Sequence, residues 1–264
     1  MRRPRLAGLG LVTTATVALA VAGCDNTTAS PAATTPSADS SSASAADPAA
    51  ASQLAAATAK LDQTSFKITV TSGSGFKLTG AIDAPHSNGT ADVTATGPNA
   101  SVAVKTLLIG QDLYVQIPGI TKNGTWTHVD GSRLPADASI GLRPDQIDPV
   151  NTAKLLSSTT DVHSTGSNSY AGTLDLTKAA GLAGLSKVTI DGYGQSASQV
   201  PFTAGLDTQG QLQELTIDLP PVNGQKTEPI DALYSDYGAP VDVQRPAASS
   251  ITEAPDSIYK SLGS

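Results

Sequence analysis

Three histidines, one cysteine and 23 carboxylates are the side chains through which this 264-residue sequence could do acid–base, metal or covalent chemistry. Their spacing supports little of it. His86, His128 and His163 form no H-x-x-x-H pair with a further ligand, so a zinc site is not expected, and each reads as a surface or turn histidine. No G-x-S-x-G elbow presents a serine nucleophile, and no G-x-x-x-x-G-K-[ST] loop cradles a phosphate. The run "SGSG" at 72–75 reads as a hairpin turn. Carboxylate pairs such as Asp145/Asp148 and Asp191/Asp207 read as members of an acidic surface, because a general acid–base pair needs more than two acids in an acid-rich chain. The tyrosines around Asp236 in "YSDYG" read as caps on a strand end. The expectation is a protein without catalytic residues, metal or cofactor, and not an enzyme.

Cys24 is different. A single cysteine cannot close an intrachain disulfide. It follows a basic start with Arg2, Arg3 and Arg5, an apolar stretch from Leu6 to Ala22, and the small residue Gly23. That order is the layout of a secretory signal. The apolar stretch lies at the short limit for a membrane span and gives way at once to polar sequence. Val21-Ala22-Gly23-Cys24 resembles the bacterial lipobox. The resemblance implies cleavage before Cys24 and a diacylglycerol on its sulfur, so residues 1–23 read as a lipoprotein signal peptide and Cys24 as the lipidation site. Acyl chains contribute roughly 0.8 kcal/mol per buried CH2, and two or three hold a protein to a bilayer far better than one. The expected location is the cell membrane, lipid-anchored on its extracytoplasmic side.

Without the leader, 13 basic residues face 23 acidic ones, a formal charge of −10. Phosphate contacts need clustered Lys and Arg, so no nucleic-acid partner is expected. One tryptophan, three phenylalanines and six tyrosines are too few for a carbohydrate or base-stacking platform. Residues 24–47 hold no large apolar side chain and read as the lipidated cysteine followed by a Ser/Thr/Ala/Pro tether, because such a segment cannot bury enough surface to offset its ordering entropy.

The elements that would carry a site begin at Asp47-Pro48, an N-cap followed by proline at the first helical position. Ala51, Leu54, Ala55, Thr58 and Leu61 recur at helical spacing after it. Short alternating strands follow at 66–72, 76–83, 90–96, 101–110, 112–118 and 125–130, joined by turn residues such as Gly73-Ser74-Gly75. A helix is predicted from Asp148 or Pro149 to Leu156, and a weaker one over 177–185. Strands are predicted again at 161–166 and 169–176. A hairpin within 200–220 turns at Asp207-Thr208-Gln209-Gly210, and "PIDALYSDYGAPVDVQRP" closes the domain. The folded domain is expected over 48–246, with 247–264 as a fraying tail.

The order of "SFKITVTSG", "GQDLYVQIPG", "GTWTHVD", "VPFTAGLDTQGQLQELTIDLP" and "YSDYGAPVDVQRPAASSI" resembles the LppX/LprAFG family of mycobacterial lipoproteins, which share a fold with the lipoprotein carriers LolA and LolB. The resemblance spans about residues 50–246. It implies an α+β fold in which a strongly bent antiparallel sheet, a half-barrel, is covered on its concave side by helices. It also implies an apolar cavity for the acyl chains of a lipid or glycolipid, and an envelope transporter or acceptor protein as partner. From alternation, Ile68, Val70, Leu78, Ile82, Val93, Val102, Val104, Leu113 and Val115 fall to one side of the sheet and are the candidate lining. Alternation does not separate a hollow core from a filled one. Two functions therefore stand side by side: a carrier that binds and transfers lipid, and a surface protein-interaction module with a solid core.

Overall fold

The computed structural model describes residues 46–262, apart from 98–100, 120, 123, 135–141, 145, 179–184, 186 and 223. Signal peptide, Cys24 and nearly all of the tether lie outside the described residues. What is described is mixed α+β, built on one large, open, curved sheet of twelve strands with few helices.

Helix α1 (Pro48–Ala59) starts as the sequence dictates. The Asp47 carboxylate accepts from the Ala49 amide at 2.9 Å, and proline occupies the first turn where its missing N–H costs nothing. Its buried stripe is Ala50, Leu54 and Ala57, continued by Leu61, with Thr58 beside it. Ala51 and Ala55, expected on that stripe, are exposed. In so alanine-rich a helix several stripes have nearly equal hydrophobicity, and packing selects among them.

Six strands then form a meander: β1 (Ser65–Ser72), β2 (Phe76–Asp83), β3 (Asn88–Thr96), β4 (Ser101–Ile109), β5 (Asp112–Gln116) and β6 (Trp126–Asp130). The chain crosses through α2 (Thr152–Leu156) to the far edge and builds a second meander, β7 (His163–Gly166) and β8 (Ser169–Leu174). A short helix α3 (Lys187–Gly192) precedes β9 (Val200–Leu206), β10 (Leu212–Ile217) and β11 (Ile230–Ser235). Strand β11 pairs with β1, which fuses the two meanders into the order β6-β5-β4-β3-β2-β1-β11-β10-β9-β8-β7. The predicted β9–β10 turn is present: Asp207 Oδ1 accepts from the amides of Gln209 and Gln211, and Gly210 takes φ 68°. Lys60 Nζ donates to the carbonyls of Gln209 and Gly210, tying the end of the first helix to that turn.

Two expectations need correction. Helix α2 begins at Thr152, later than predicted, because Asn151 adopts a left-handed φ of 53° and Asp148 turns the chain ahead of it. The tail does not fray at 247. Residues Ile251–Glu253 form β12, parallel to β6 at the sheet edge, and α4 (Asp256–Leu262) follows. Tyr259 anchors it: its hydroxyl accepts from the Asp130 amide, and Arg133 lies 3.9 Å over its ring. A few such contacts suffice to hold a segment whose Ser/Ala composition gives no apolar period.

Candidate functional site

The strand register decides which side chains share a face, because directly paired residues project to the same side. Phe66 pairs with Ile82, and Ile82 with Gly89. The row continues through Leu108, Leu113 and Val129. A second row runs Tyr234, Ile68, Gly80, Ala91, Thr106 and Val115. The third is Ala232, Val70, Leu78, Val93 and Val104, and the fourth includes Phe76, Ala95 and Val102. All nine candidate lining residues therefore lie on one face of the sheet.

Their environments form a gradient. In the first row Ile82 and Leu113 are fully buried. Ile68, Val70 and Leu78 are buried in the next two rows. Val93, Val104 and Val115 are half-buried, and Val102 is 46% exposed. The apolar face is closed at the Ile82 end and open at the Val102 end.

The closed end is covered by segments from elsewhere in the chain. Leu142, Ile147 and Val150 belong to the same buried cluster as Ile82 and Leu113. A side chain at Gly89 would meet Ile82 Cδ1 at 3.1 Å and Leu142 Cδ1 at 3.7 Å, so glycine there leaves room for that cover. Helix α2 is held to this face by the Thr152 hydroxyl, 2.6 Å from the hydroxyl of Tyr234. The helix start is organised by Asp148, whose buried carboxylate accepts from the amides of Val150 and Thr152 at 3.0 and 2.9 Å. Burial pushes the Asp148 carboxyl above its ordinary range, against the pull of those hydrogen bonds. Among the described residues no buried side-chain nitrogen or oxygen lacks a partner.

Among the described residues, two pockets adjoin this cover. One, of about 270 Å3, is lined by Leu61, Asp62, Gln146, Asp148, Asn151 and neighbours. The other, of about 80 Å3, lies between α1 and α2 against Ala51, Leu54, Ala55 and Leu156. The larger is mostly polar, and the smaller falls well below the roughly 300 Å3 at which ligand clefts usually begin.

The opposite, outer face carries a polar centre the sequence did not announce. His128 on β6 lies between Asp112 Oδ1 at 2.9 Å from Nε2 and Glu253 Oε2 at 2.7 Å from Nδ1. Its side chain is only 17% exposed, so its reading as a surface histidine is corrected. Arg245 pairs with Asp112 and lies over the ring of Tyr114 at 5.7 Å. The other histidines do little: His86 pairs with Asp83 on the surface, and His163 Nδ1 lies 3.0 Å from the Asp161 carbonyl. Of the candidate carboxylate pairs, Asp191 bonds Lys187 and Asp207 belongs to its turn, while Asp145 lies outside the described residues. Tyr237 donates to the Leu212 carbonyl, and Tyr234 is buried on the inner face, so only part of "YSDYG" caps a strand end.

Among the described residues no group of three or more His, Cys, Asp or Glu could hold a metal ion, and no helix is long and apolar enough to cross a membrane. The chain matches no protein-family model and no curated protein.

Proposed function

We propose that the protein is an envelope lipoprotein, anchored through Cys24, that binds the acyl chains of a lipid or glycolipid along the inner face of a LolA/LolB-like half-barrel and passes them to an acceptor. The observation that carries this reading is the gradient on that face: nine aliphatic side chains in register, sealed at Ile82 and Leu113 and left open at Val102. Apolar surface left in water at one end of a continuous apolar wall is where an acyl chain gains most, at roughly 25 cal/mol per Å2 buried. Neither described pocket suits an acyl chain. The chain would bed against Val93, Val102, Val104 and Val115, and growth of that bed would require the covering segments to shift. The lipobox supplies the route to a membrane, and the tether gives the domain room to move between bilayer and acceptor.

The test uses residues 43–264, one compact unit of the chain, analysed by detergent-free native mass spectrometry after exposure to phospholipid and glycolipid vesicles. Bound lipid is expected in the wild type. Val104→Trp is expected to remove most of it while changing stability by under about 1 kcal/mol, because a half-buried site at the open end accepts bulk that a filled core would reject at about 1–3 kcal/mol. Lys105→Trp, on the outer face, is the control and should keep the lipid. Full lipid binding by both variants would sink the reading.

The dense packing of the first row favours a second reading, a solid-core protein-interaction module without a lipid ligand. Absence of any bound lipid in the wild type, with an intact fold, is its expected signature.

A further inference from the structure

After β11 ends at Ser235, the chain travels from the interior of the sheet to its β6 edge, where it forms β12 and α4. Ser65 Oγ donates to the Ala239 carbonyl at the start of this strap. Arg245 then bonds Asp112, and β12 pairs with β6 over only three residues, Ile251 to Glu253. The Ala254 amide closes the pairing on the His128 carbonyl at 2.8 Å. Beneath the strap, Tyr114 is 1% exposed although it projects from the outer face. So short a parallel pairing is weak alone, and its contacts to the imidazole matter accordingly.

We infer that His128 is a protonation-controlled clasp that holds the C-terminal strand on the sheet edge, tight when the imidazole carries two protons and loosened when it carries one. The geometry around the ring carries the inference. Each ring nitrogen faces a carboxylate oxygen, and both can donate only in the imidazolium form. A neutral ring donates once and turns its other lone pair toward an anion. Asp112 is also held by Arg245, whereas the Glu253 side chain is 76% exposed and sits on the short strand. The neutral ring donates to one carboxylate at a time, so the tautomer that donates to Asp112 leaves Glu253, and with it β12, without that hydrogen bond. Among the described residues, the other titratable groups beside the ring are Tyr114 on β5, with ring centroids 5.1 Å apart, and Asp130 at the end of β6. Burial alone would push His128 down, but the hydrogen bonds to Glu253 and Asp112 outweigh it and hold the imidazole above its ordinary value. A histidine raised on folding stabilises fully below its unfolded value of about 6.5 and loses that contribution as pH rises through the folded value. The clasp thus loosens as pH rises through a folded-state value above the ordinary one of about 6.5.

Hydrogen exchange of the full chain in detergent micelles, at about pH 5.5, 7 and 8.5 with intrinsic rates removed, reads this directly. Protection over residues 251–254, relative to β1 and β2 in the same sample, should fall severalfold from the lowest to the highest pH. Glu253→Gln, whose amide can offer a donor or an acceptor, should abolish that fall while leaving β1 and β2 unchanged. A flat wild-type profile, or the same fall in Glu253→Gln, overturns the clasp. Should Glu253→Gln open β12 at every pH, the NMR titration of His128 in the wild type decides: a value above that of free histidine supports the clasp, and one at or below it overturns it.

Discussion

Leu113 and Val102 sit on neighbouring strands, on the same face of the sheet, in the same alternating pattern, yet one is fully buried and the other 46% exposed. Nothing in their own strands separates them. The difference lies in what the rest of the chain lays over each. The first row receives Leu142, Ile147 and Val150, from a segment more than ten residues beyond the strands it covers, and α2 is pinned nearby by Thr152 and Tyr234. Among the described residues, the Val102 end receives no comparable cover. Alternation assigns a side chain to a face of a sheet. Only tertiary packing assigns it to a core or to a surface, so a pattern read as a binding wall is at one end a core and at the other a candidate site.

The strongest way to break this contrast is at its closed end. Leu113→Ala removes a fully buried side chain from a packed row, and the expected loss is about 2–5 kcal/mol in denaturant unfolding, the range for leucine truncation in filled cores. A loss under about 1 kcal/mol would mean that the first row is loosely packed and that the gradient has no closed end. Val115→Ala, half-buried one row away, should fall below Leu113→Ala.

A smaller effect tests how the cover is fixed. Tyr234→Phe deletes one hydroxyl from the buried contact with Thr152 and leaves the ring against Phe66 at 5.9 Å between centroids. The expected cost is about 1 kcal/mol, the usual net worth of one buried hydrogen bond. The change should appear in the unfolding midpoint with the slope unchanged. No shift at all would show that α2 is seated by its apolar residues Leu155 and Leu156 without help from Thr152.

Much of the sheet was legible in the sequence because its strands are amphipathic and its turns carry their own chemistry. Phe76–Asp83 and Ser101–Ile109 lie within a residue of the alternation that predicts them, and Gly73 takes the positive φ of 55° its turn needs. What escaped depends on distance along the chain. The partners of His128 stand 16 and 125 residues away, so no local spacing could reveal the pair of carboxylates around it. Strand β12 is three residues long and parallel, too short to show a period, and the Ser/Ala-rich tail around it hides anchors that are single side chains, Glu253 and Tyr259. For the candidate site, the face was legible and the cover was not.

The finest test is a substitution that changes polarity without shape. Val102→Thr keeps β-branching and volume, so strand propensity is retained and only the transfer of a methyl to a hydroxyl is measured. At a fully covered position such a hydroxyl would be buried and would need a partner. At Val102, exposed by almost half, it reaches water, and the expected change in stability is within about 0.5 kcal/mol, the range of ordinary surface substitutions. The same variant lowers the apolar character of the open end where an acyl chain would lie, so lipid retained in the native mass spectrum should fall while the unfolding curve stays in place. The two readouts together are what sharpen the contrast: a stability loss of about 1–3 kcal/mol would show that Val102 is covered in solution, and the open end would then be core like the rest of the face.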